Sequence, residues 1–150
     1  MSIRLTDEAL RYIALFEDIT GVTPIDCVAH EDELTLIVPP DAMAQAIGPD
    51  GETVRSAESR IGKQIVIIED AADPDVFVAN ALAPAAIYDV SIEEADGERT
   101  AHALVDERDM GVAIGANGSR IERAKRLAKR HFDIHTIELE SVDPAKDVLK

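Results

Sequence analysis

The sequence predicts an α+β fold that is built twice in tandem, with the element order α-β-β-α-α-β in each half. Three observations lead to this prediction. A segment of apolar residues and glycines recurs after 67 residues, and helical and strand-like apolar spacings alternate in the same order in both halves. The 150 residues are 46% hydrophobic but only 3% aromatic, so we expect two aliphatic cores.

The repeat joins residues 38–51 to residues 105–118. A shift of 67 residues superposes a Val, a Met, an Ala, an Ile and two Gly without a gap, and it also places Val54 over Ile121. A single Gly-x-x-Gly is a weak signal, because glycine pairs occur in many turns. Two copies in the same apolar frame are hard to produce by chance, so the repeat indicates two related units.

The first half begins with a helix that Thr6 can cap and that ends before Gly21. Its apolar face is formed by Ala9, Ile13 and Phe16. The remaining predicted elements are strands over 25–29 and 34–38, a short helix from about 42, the glycine loop, a helix over 52–61 and a strand over 65–68.

The second half opens at Asp73-Pro74-Asp75, a cap followed by proline at the first helical position, and its first helix should stop near Pro84. Strands over 87–92 and 99–105, a short helix, the second glycine loop, a long helix and a strand over 134–139 complete it. We therefore expect domains at 1–70 and 71–142, followed by a polar, frayed tail at 143–150.

The N-terminal residues, the lack of a long apolar stretch and the single cysteine predict a cytoplasmic protein. The N-terminus has neither a basic nor an apolar leader region, and no stretch is long and apolar enough to cross a membrane. Cys27 alone cannot form an internal disulfide. No membrane partner is expected.

The charge balance favours a salt-rich cytoplasm. Thirty acidic residues face fifteen basic ones, which gives a net charge of −15. At ordinary salt such a chain repels nucleic acid, so one interpretation is an acidic protein that never contacts it. The other interpretation is a halophilic protein whose surface charge is screened by ions. Sparse Lys (five, against ten Arg) and abundant Asp and Glu favour the second.

The glycine loops predict contact with a phosphate backbone. Glycine lets the chain turn sharply and approach a ligand closely, and the following helix presents unpaired N–H groups and its positive dipole end. Apolar side chains beside each loop can form the floor of a groove for bases. These are Ile47, Val54, Ile114 and Ile121.

The Ile-Gly-x-x-Gly motif between two helices, in an α-β-β-α-α-β unit, resembles the type II KH domain. Two such units in tandem over about residues 1–142 resemble the NusA-like family of archaeal transcription termination and antitermination factors, with a haloarchaeal composition. The resemblance implies a three-stranded sheet packed by helices in each unit. It also implies that each groove takes about four nucleotides of single-stranded RNA, clamped by its loop.

The two copies differ in charge. Gly115-Ala116-Asn117-Gly118 is followed by Ser119 and a helix with six basic residues and one acid up to Arg130. Arg120 and Arg123 are expected to be best placed to reach phosphate. A solvated basic face that pairs with acids elsewhere is the competing interpretation. We favour RNA binding, because the basic run begins at the repeated loop.

The first loop, Gly48-Pro49-Asp50-Gly51, is a poorer clamp. Pro49 lacks a backbone N–H donor, and Asp50 places a negative charge on the path of phosphate. The segment after it carries two glutamates, Glu52 and Glu58, as well as three basic residues, Arg55, Arg60 and Lys63. Weak RNA binding, or a unit kept only to position the other, both remain open for this copy.

Other functions are less well supported by the sequence. The loops lack the Gly-Lys-Ser/Thr ending of a nucleotide-binding loop, and neither a zinc cluster nor a catalytic carboxylate pair stands out. We therefore expect no enzyme activity, cofactor, metal or small-molecule substrate. A KH-fold interaction module that contacts RNA polymerase or ribosomal components, with little RNA binding, is the main alternative. A ribosomal KH protein is a third interpretation, but such proteins usually carry long basic extensions, which this sequence does not show.

Overall fold

A computed structural model describes residues 3–148, and in it the chain divides into two compact units between Ala71 and Ala72. Each unit contains, within these residues, one three-stranded sheet and three α-helices. The predicted α+β fold, with helices packed on a three-stranded sheet in each half, is confirmed. The two units are described one at a time below.

The first unit has the predicted element order. Its elements are α1 (Asp7–Thr20), β1 (Asp26–His30), β2 (Glu33–Val38), α2 (Met43–Ile47), α3 (Glu52–Ile61) and β3 (Gln64–Glu69). β2 is the central strand, antiparallel to β1 and parallel to β3. The parallel pairing follows from the two helices that connect β2 to β3, because a parallel connection must cross over the sheet.

The α1 helix begins and ends where the sequence predicts. The Thr6 hydroxyl accepts a hydrogen bond from the Ala9 N–H (3.0 Å), which satisfies one of the unpaired donors of the first turn. Gly21 has a left-handed backbone (φ 78°) and donates to the carbonyl of Glu17 (2.7 Å). The predicted face of Ala9, Ile13 and Phe16 is buried.

The core of the first unit is aliphatic apart from one ring. Phe16 of α1 is fully buried in the same cluster as Leu34 and Leu36 of β2, which are also fully buried. Small residues, Ala46 in α2 and Ala57 in α3, are 0% exposed and allow the two helices to approach the sheet closely. These helices carry the first glycine loop between them, so the core fixes the position of that loop.

The second unit repeats the order with longer strands. Its elements are α4 (Pro74–Leu82), β4 (Ile87–Ala95), β5 (Glu98–Asp106), α5 (Met110–Ile114), α6 (Ser119–Phe132) and β6 (Thr136–Val142). β5 is central, antiparallel to β4 and parallel to β6. Asp96 and Gly97 both have positive φ, which is the geometry of a two-residue hairpin turn and brings Ala95 opposite Glu98.

Two expectations for the second unit are wrong. The last strand begins at Thr136 and not at Ile134, because Asp133 ends α6 in a left-handed conformation and the Ile134 N–H donates back to the carbonyl of Ala128 (3.3 Å). The tail, expected to be frayed, forms a helical turn over Pro144–Val148. The Asp143 N–H donates to the Asp147 carboxylate (2.8 Å) within that turn. Residues 149 and 150 of the predicted tail lie outside the described residues.

Aromatic packing joins α4 to α6 in the second unit. The Phe77 ring, 0% exposed, stacks on His131 with a centroid distance of 4.9 Å and contacts Phe132 at 5.2 Å. Leu127 and Ala128 of α6 are also buried. The side of α6 that faces the core is thereby fixed.

In residues 3–148 no helix is long and apolar enough to cross a membrane.

The two helix caps predict different costs of substitution. Thr6→Ala removes the side-chain acceptor at the start of α1 and should reduce the free energy of unfolding by about 1 kcal/mol. Asp73→Ala should cost less than half as much, since within the described chain the Asp73 side chain makes no capping hydrogen bond at α4. Urea denaturation in about 2 M KCl, where salt screens the helix dipole, measures both values. Equal losses would contradict this assignment.

Candidate nucleic-acid interface

The two glycine loops share one backbone path despite their different sequences. The first glycines, Gly48 and Gly115, have φ/ψ of 77°/170° and 79°/169°. The third residues, Asp50 and Asn117, are left-handed at 53°/28° and 55°/29°. In each loop the last glycine donates its N–H to the carbonyl of the first (3.1 Å). Pro49 and Asp50 therefore change the chemistry of the first loop but not its shape.

The first glycine of each loop leaves no space for a side chain. A Cβ on Gly115 would lie 2.7 Å from the backbone nitrogen of Arg120, and one on Gly48 would lie 2.8 Å from that of Thr53. Apart from its two chain neighbours, no described residue has an atom within 4 Å of a Cβ placed on Gly118. The second loop thus packs against the first turn of α6 at one end and is open at the other.

The basic helix α6 presents only part of its charge to the surface. Ile121, Ala124, Leu127 and Ala128 face the core, as predicted. Arg126 and Lys129 are exposed, and Lys125 forms an ion pair with Glu122 (3.7 Å). The exposed cations extend along the helix, away from the loop.

Arg123 is less accessible than its place near the loop suggests. It is only 8% exposed and lies at the edge of the buried stripe, one turn before Leu127. It therefore offers little surface to a phosphate group. Arg120 is half-buried, and its guanidinium donates across the loop to the carbonyl of Val112. Arg120 thus joins the end of α5 to the start of α6.

The four residues expected to form groove floors have different environments. Ile114 is 40% exposed beside the second loop, whereas Ile121 is 9% exposed and packs mainly in the core. Ile47 and Val54 are half-buried in the first unit. Val112, 36% exposed on α5, was missed. A sequence signal existed, because the repeat aligns Val112 with the polar Gln45.

The first loop has a cation of its own. A Cβ on Gly51 would lie 2.9 Å from a guanidinium nitrogen of Arg55, so that side chain covers the end of the loop. The repeat aligns Arg55 with Glu122, and it aligns Thr53 with Arg120. Each loop therefore has an arginine beside it, but at different ends. Arg55 lies at the last glycine of the first loop, and Arg120 lies at the first glycine of the second. Pro49 and Asp50 are exposed beside it.

A polar cluster in the second unit was not predicted. The Asp106 carboxylate, 3% exposed, accepts hydrogen bonds from the Arg108 guanidinium (2.9 and 2.7 Å) and the Tyr88 hydroxyl (2.7 Å). It also accepts from the Arg108 backbone N–H (2.9 Å). The Asp-x-Arg spacing before a helix is a weak sequence signal, but Tyr88 lies 18 residues away and only the sheet brings it near.

The cluster shifts the ionisation of its members. Hydrogen bonds first from the Arg108 guanidinium and then from the Tyr88 hydroxyl hold the pKa of Asp106 well below its ordinary value of 3.8. The same carboxylate raises the pKa of Arg108, chiefly through its hydrogen bond. The hydrogen bond to Asp106 is also the main reason that the pKa of Tyr88 is raised. At neutral pH the cluster is therefore an ionised Asp106–Arg108 pair with a neutral Tyr88 hydroxyl.

The exposed face of the second sheet is acidic. His102 on β5 lies between Glu93 of β4 (3.2 Å) and Glu138 of β6 (3.4 Å), so it bridges the three strands. Within residues 3–148, no group of three or more His, Cys, Asp or Glu side chains could hold a metal ion.

Comparisons with known proteins agree with this architecture. The profile of the NusA-like second KH domain family matches residues 74–142. The chain is 49% identical to a probable transcription termination protein NusA from Halococcus morrhuae over 93% of this chain and 99% of that protein. A protein of the same name from Methanocaldococcus jannaschii is 33% identical over 91% and 75%. A crystal structure of APE1850 superposes with a TM-score of 0.82 at 30% identity, covering 91% of this chain and all of that one.

The two glycines of the second loop should differ in their tolerance of alanine. Gly118→Ala should cost about 1 kcal/mol, the penalty of a left-handed residue alone. Gly115→Ala should cost clearly more, because its Cβ also collides with the Arg120 backbone. Thermal unfolding followed by circular dichroism compares the two variants. A Gly118→Ala protein as unstable as Gly115→Ala would show that the open end of the loop is also packed.

The Asp106 cluster predicts a pH-dependent stability difference. Because the pKa of folded Asp106 is lowered, its ionised form stabilises the fold fully above about pH 3.8, and this stabilisation is lost as pH falls further. Asp106→Asn should therefore lower Tm by a constant amount between about pH 5 and pH 7, and the difference should shrink below pH 3.8. Calorimetry over this range measures it. A difference that stays constant down to about pH 2 would refute the role of the charge.

Proposed function

This chain belongs to the NusA family of transcription termination proteins, and we propose that it acts in the cytoplasm by binding single-stranded RNA through the glycine loop of its second unit. The observation that carries the proposal is the open end of that loop at the start of a basic helix. Gly118 has space beside it, and α6 begins immediately after it. A phosphate group could approach the backbone there without meeting a side chain.

The first turn of α6 supplies the electrostatic part of the interaction. A helix of 14 residues has unpaired N–H groups and a partial positive charge at its N-terminus, both of which favour a phosphodiester. Ser119 adds an exposed hydroxyl at this point. Arg126 and Lys129 extend the positive surface along the helix, in a protein whose net charge is −15.

Exposed apolar side chains supply the part of the RNA interaction that salt does not screen. Val112 and Ile114 are 36% and 40% exposed on α5, directly before the loop. Bases that lie on these side chains would exclude water from them. Such contacts matter at high salt, because four phosphate contacts lose about three orders of magnitude in affinity between roughly 0.2 M and 3 M salt.

The first unit should bind RNA more weakly. Its loop has the same backbone path, but Pro49 removes one donor and Asp50 repels phosphate. Arg55 lies over Gly51 and would partly offset that repulsion. Contact with RNA polymerase or ribosomal components through this unit is the alternative, favoured by the unsuitable chemistry of its loop.

Introducing negative charge in the second loop should weaken RNA binding. Ala116→Asp with Asn117→Asp should raise Kd about tenfold, roughly the loss of one hydrogen bond to a charged group. Asp50 shows that aspartate accepts the backbone conformation of Asn117. Fluorescence anisotropy with random-sequence RNA in about 0.5 M KCl measures Kd, and salt attenuates the effect.

Ala116→Asn is the matched control, since it has the shape of the double variant without its charge. It should bind as the parent does. Unchanged Kd in the aspartate variant would mean that the second loop is not the clamp.

Conversion of the first loop to the sequence of the second should create binding. Pro49→Ala with Asp50→Asn restores an N–H donor and removes a charge on an unchanged backbone path. Placed in the Ala116→Asp, Asn117→Asp background, it should lower Kd several-fold by the same reasoning about charged hydrogen bonds. No recovery would show that the first unit does not hold RNA through its loop.

A further inference from the structure

We infer that Tyr88, Asp106 and Arg108 form a second RNA contact in the second unit, separate from the glycine loop. The Tyr88 ring stacks on a base, and the Arg108 guanidinium binds a phosphate. Asp106 holds both in place without touching the RNA. This inference rests on the proposed function, because it assigns an additional part of the same ligand.

Asp106 is a buried anchor for two exposed side chains. Its carboxylate is 3% exposed, whereas the side chain of Arg108 is 78% exposed and Tyr88 is 45% exposed. A guanidinium held by Nε and Nη2 on one carboxylate has a fixed plane, with its other N–H groups on the side away from Asp106. Because the side chain is already ordered, phosphate binding costs less conformational entropy than it would with a mobile arginine.

Tyr88 is unusual among the aromatic residues of this chain. In the described residues, which include all five aromatic side chains, only Tyr88 is classed as exposed; Phe16 and Phe77 are fully buried, and Tyr12 and Phe132 are half-buried. Its hydroxyl is bound to Asp106, so the ring is held in place while its apolar surface stays accessible. Base stacking on such a ring is favourable for any base sequence.

The two exposed groups are close enough to serve one nucleotide. The Tyr88 hydroxyl and Arg108 Nη2 both donate to Oδ2 of Asp106 at 2.7 Å, so these atoms are no further apart than twice that distance. A ring and a cation at this separation match the base and phosphate of one or two adjacent nucleotides. The surrounding chain is acidic, so this fixed cation is a local exception.

The first unit has no counterpart to the cluster. A shift of 67 residues places Pro39 and Asp41 at the positions of Asp106 and Arg108. The fold can therefore form the strand, the short helix and the loop without these side chains. The fold does not require the cluster, so a structural role alone does not explain its presence.

The cluster and the second loop lie at opposite ends of α5. Arg108 precedes Met110–Ile114, and Gly115 follows it, so the helix alone separates them by about 7.5 Å at 1.5 Å per residue. RNA of four nucleotides, the length a KH groove holds, has no nucleotide to spare beyond the groove. A longer strand can fill the groove and contact Tyr88 at the same time.

RNA length therefore provides the test. Kd of the full chain is measured for random-sequence RNA pools of four and ten nucleotides, in about 0.5 M KCl, where exposed charges are strongly screened. Tyr88→Leu should raise Kd for the ten-nucleotide pool roughly tenfold, within the range of base stacking on an aromatic ring, and raise the four-nucleotide Kd much less. In a KCl series, Arg108→Gln should reduce the slope of log K against log salt by about 0.7 for the longer pool.

Tyr88→Phe is the control for folding. It loses the same hydrogen bond to Asp106 as Tyr88→Leu but keeps the ring, so it should retain most of the ten-nucleotide affinity. Equal losses in both variants, or no loss in either, would overturn the inference. If the aspartate loop variant loses binding while Tyr88→Leu does not, the proposed function stands and this inference fails. The reverse pattern upholds the Tyr88 contact and rejects the loop, and a parent that binds neither pool overturns both.

Discussion

Both units depend on a glycine that has no room for a side chain. The first glycine of each loop has a positive φ. A Cβ on it would lie within 3 Å of the backbone nitrogen of the residue five positions later, which is Thr53 in the first loop and Arg120 in the second. This close approach lets the second helix begin directly against the loop. The unpaired N–H groups of its first turn are thereby held beside an open backbone, and the apolar end of the preceding helix is held next to them. Without that glycine the two helices could not flank the loop as they do.

The same loop backbone can thus be formed by middle residues that differ in charge and in hydrogen-bond donors. The loops differ at both middle residues, yet their dihedral angles agree within a few degrees. Asp50 and Asn117 are both tolerated because short polar side chains accept the left-handed conformation. Pro49 is tolerated because only the glycines and the third residue need positive φ. The fold is therefore insensitive to the residues that decide whether phosphate is attracted or repelled.

Most of the fold could be predicted from the sequence, because its helices and strands are specified by patterns of residues close together in the chain. Capping by Thr6, the apolar face of α1 and the repeat each involve residues close together or matched in frame. The exposure of individual side chains was harder to predict. Arg123 was assigned by its distance from the loop, but its exposure depends on the direction in which the side chain leaves the helix. Tyr88 and Asp106 meet only through the pairing of β4 with β5, which no local pattern specifies.

The cations near the second loop show how an acidic protein can retain specific positive groups. Arg120 donates to the Val112 carbonyl, Lys125 pairs with Glu122, and Arg108 is held by Asp106. Each is therefore ordered by a neighbour within its own unit. In concentrated salt a mobile surface charge contributes little, since the Debye length falls to about 3 Å at 1 M. A charge held at hydrogen-bonding distance from its ligand still acts, because no ion fits between the two groups. For binding an anionic ligand in concentrated salt, the fixed position of each cation therefore matters more than the number of cations.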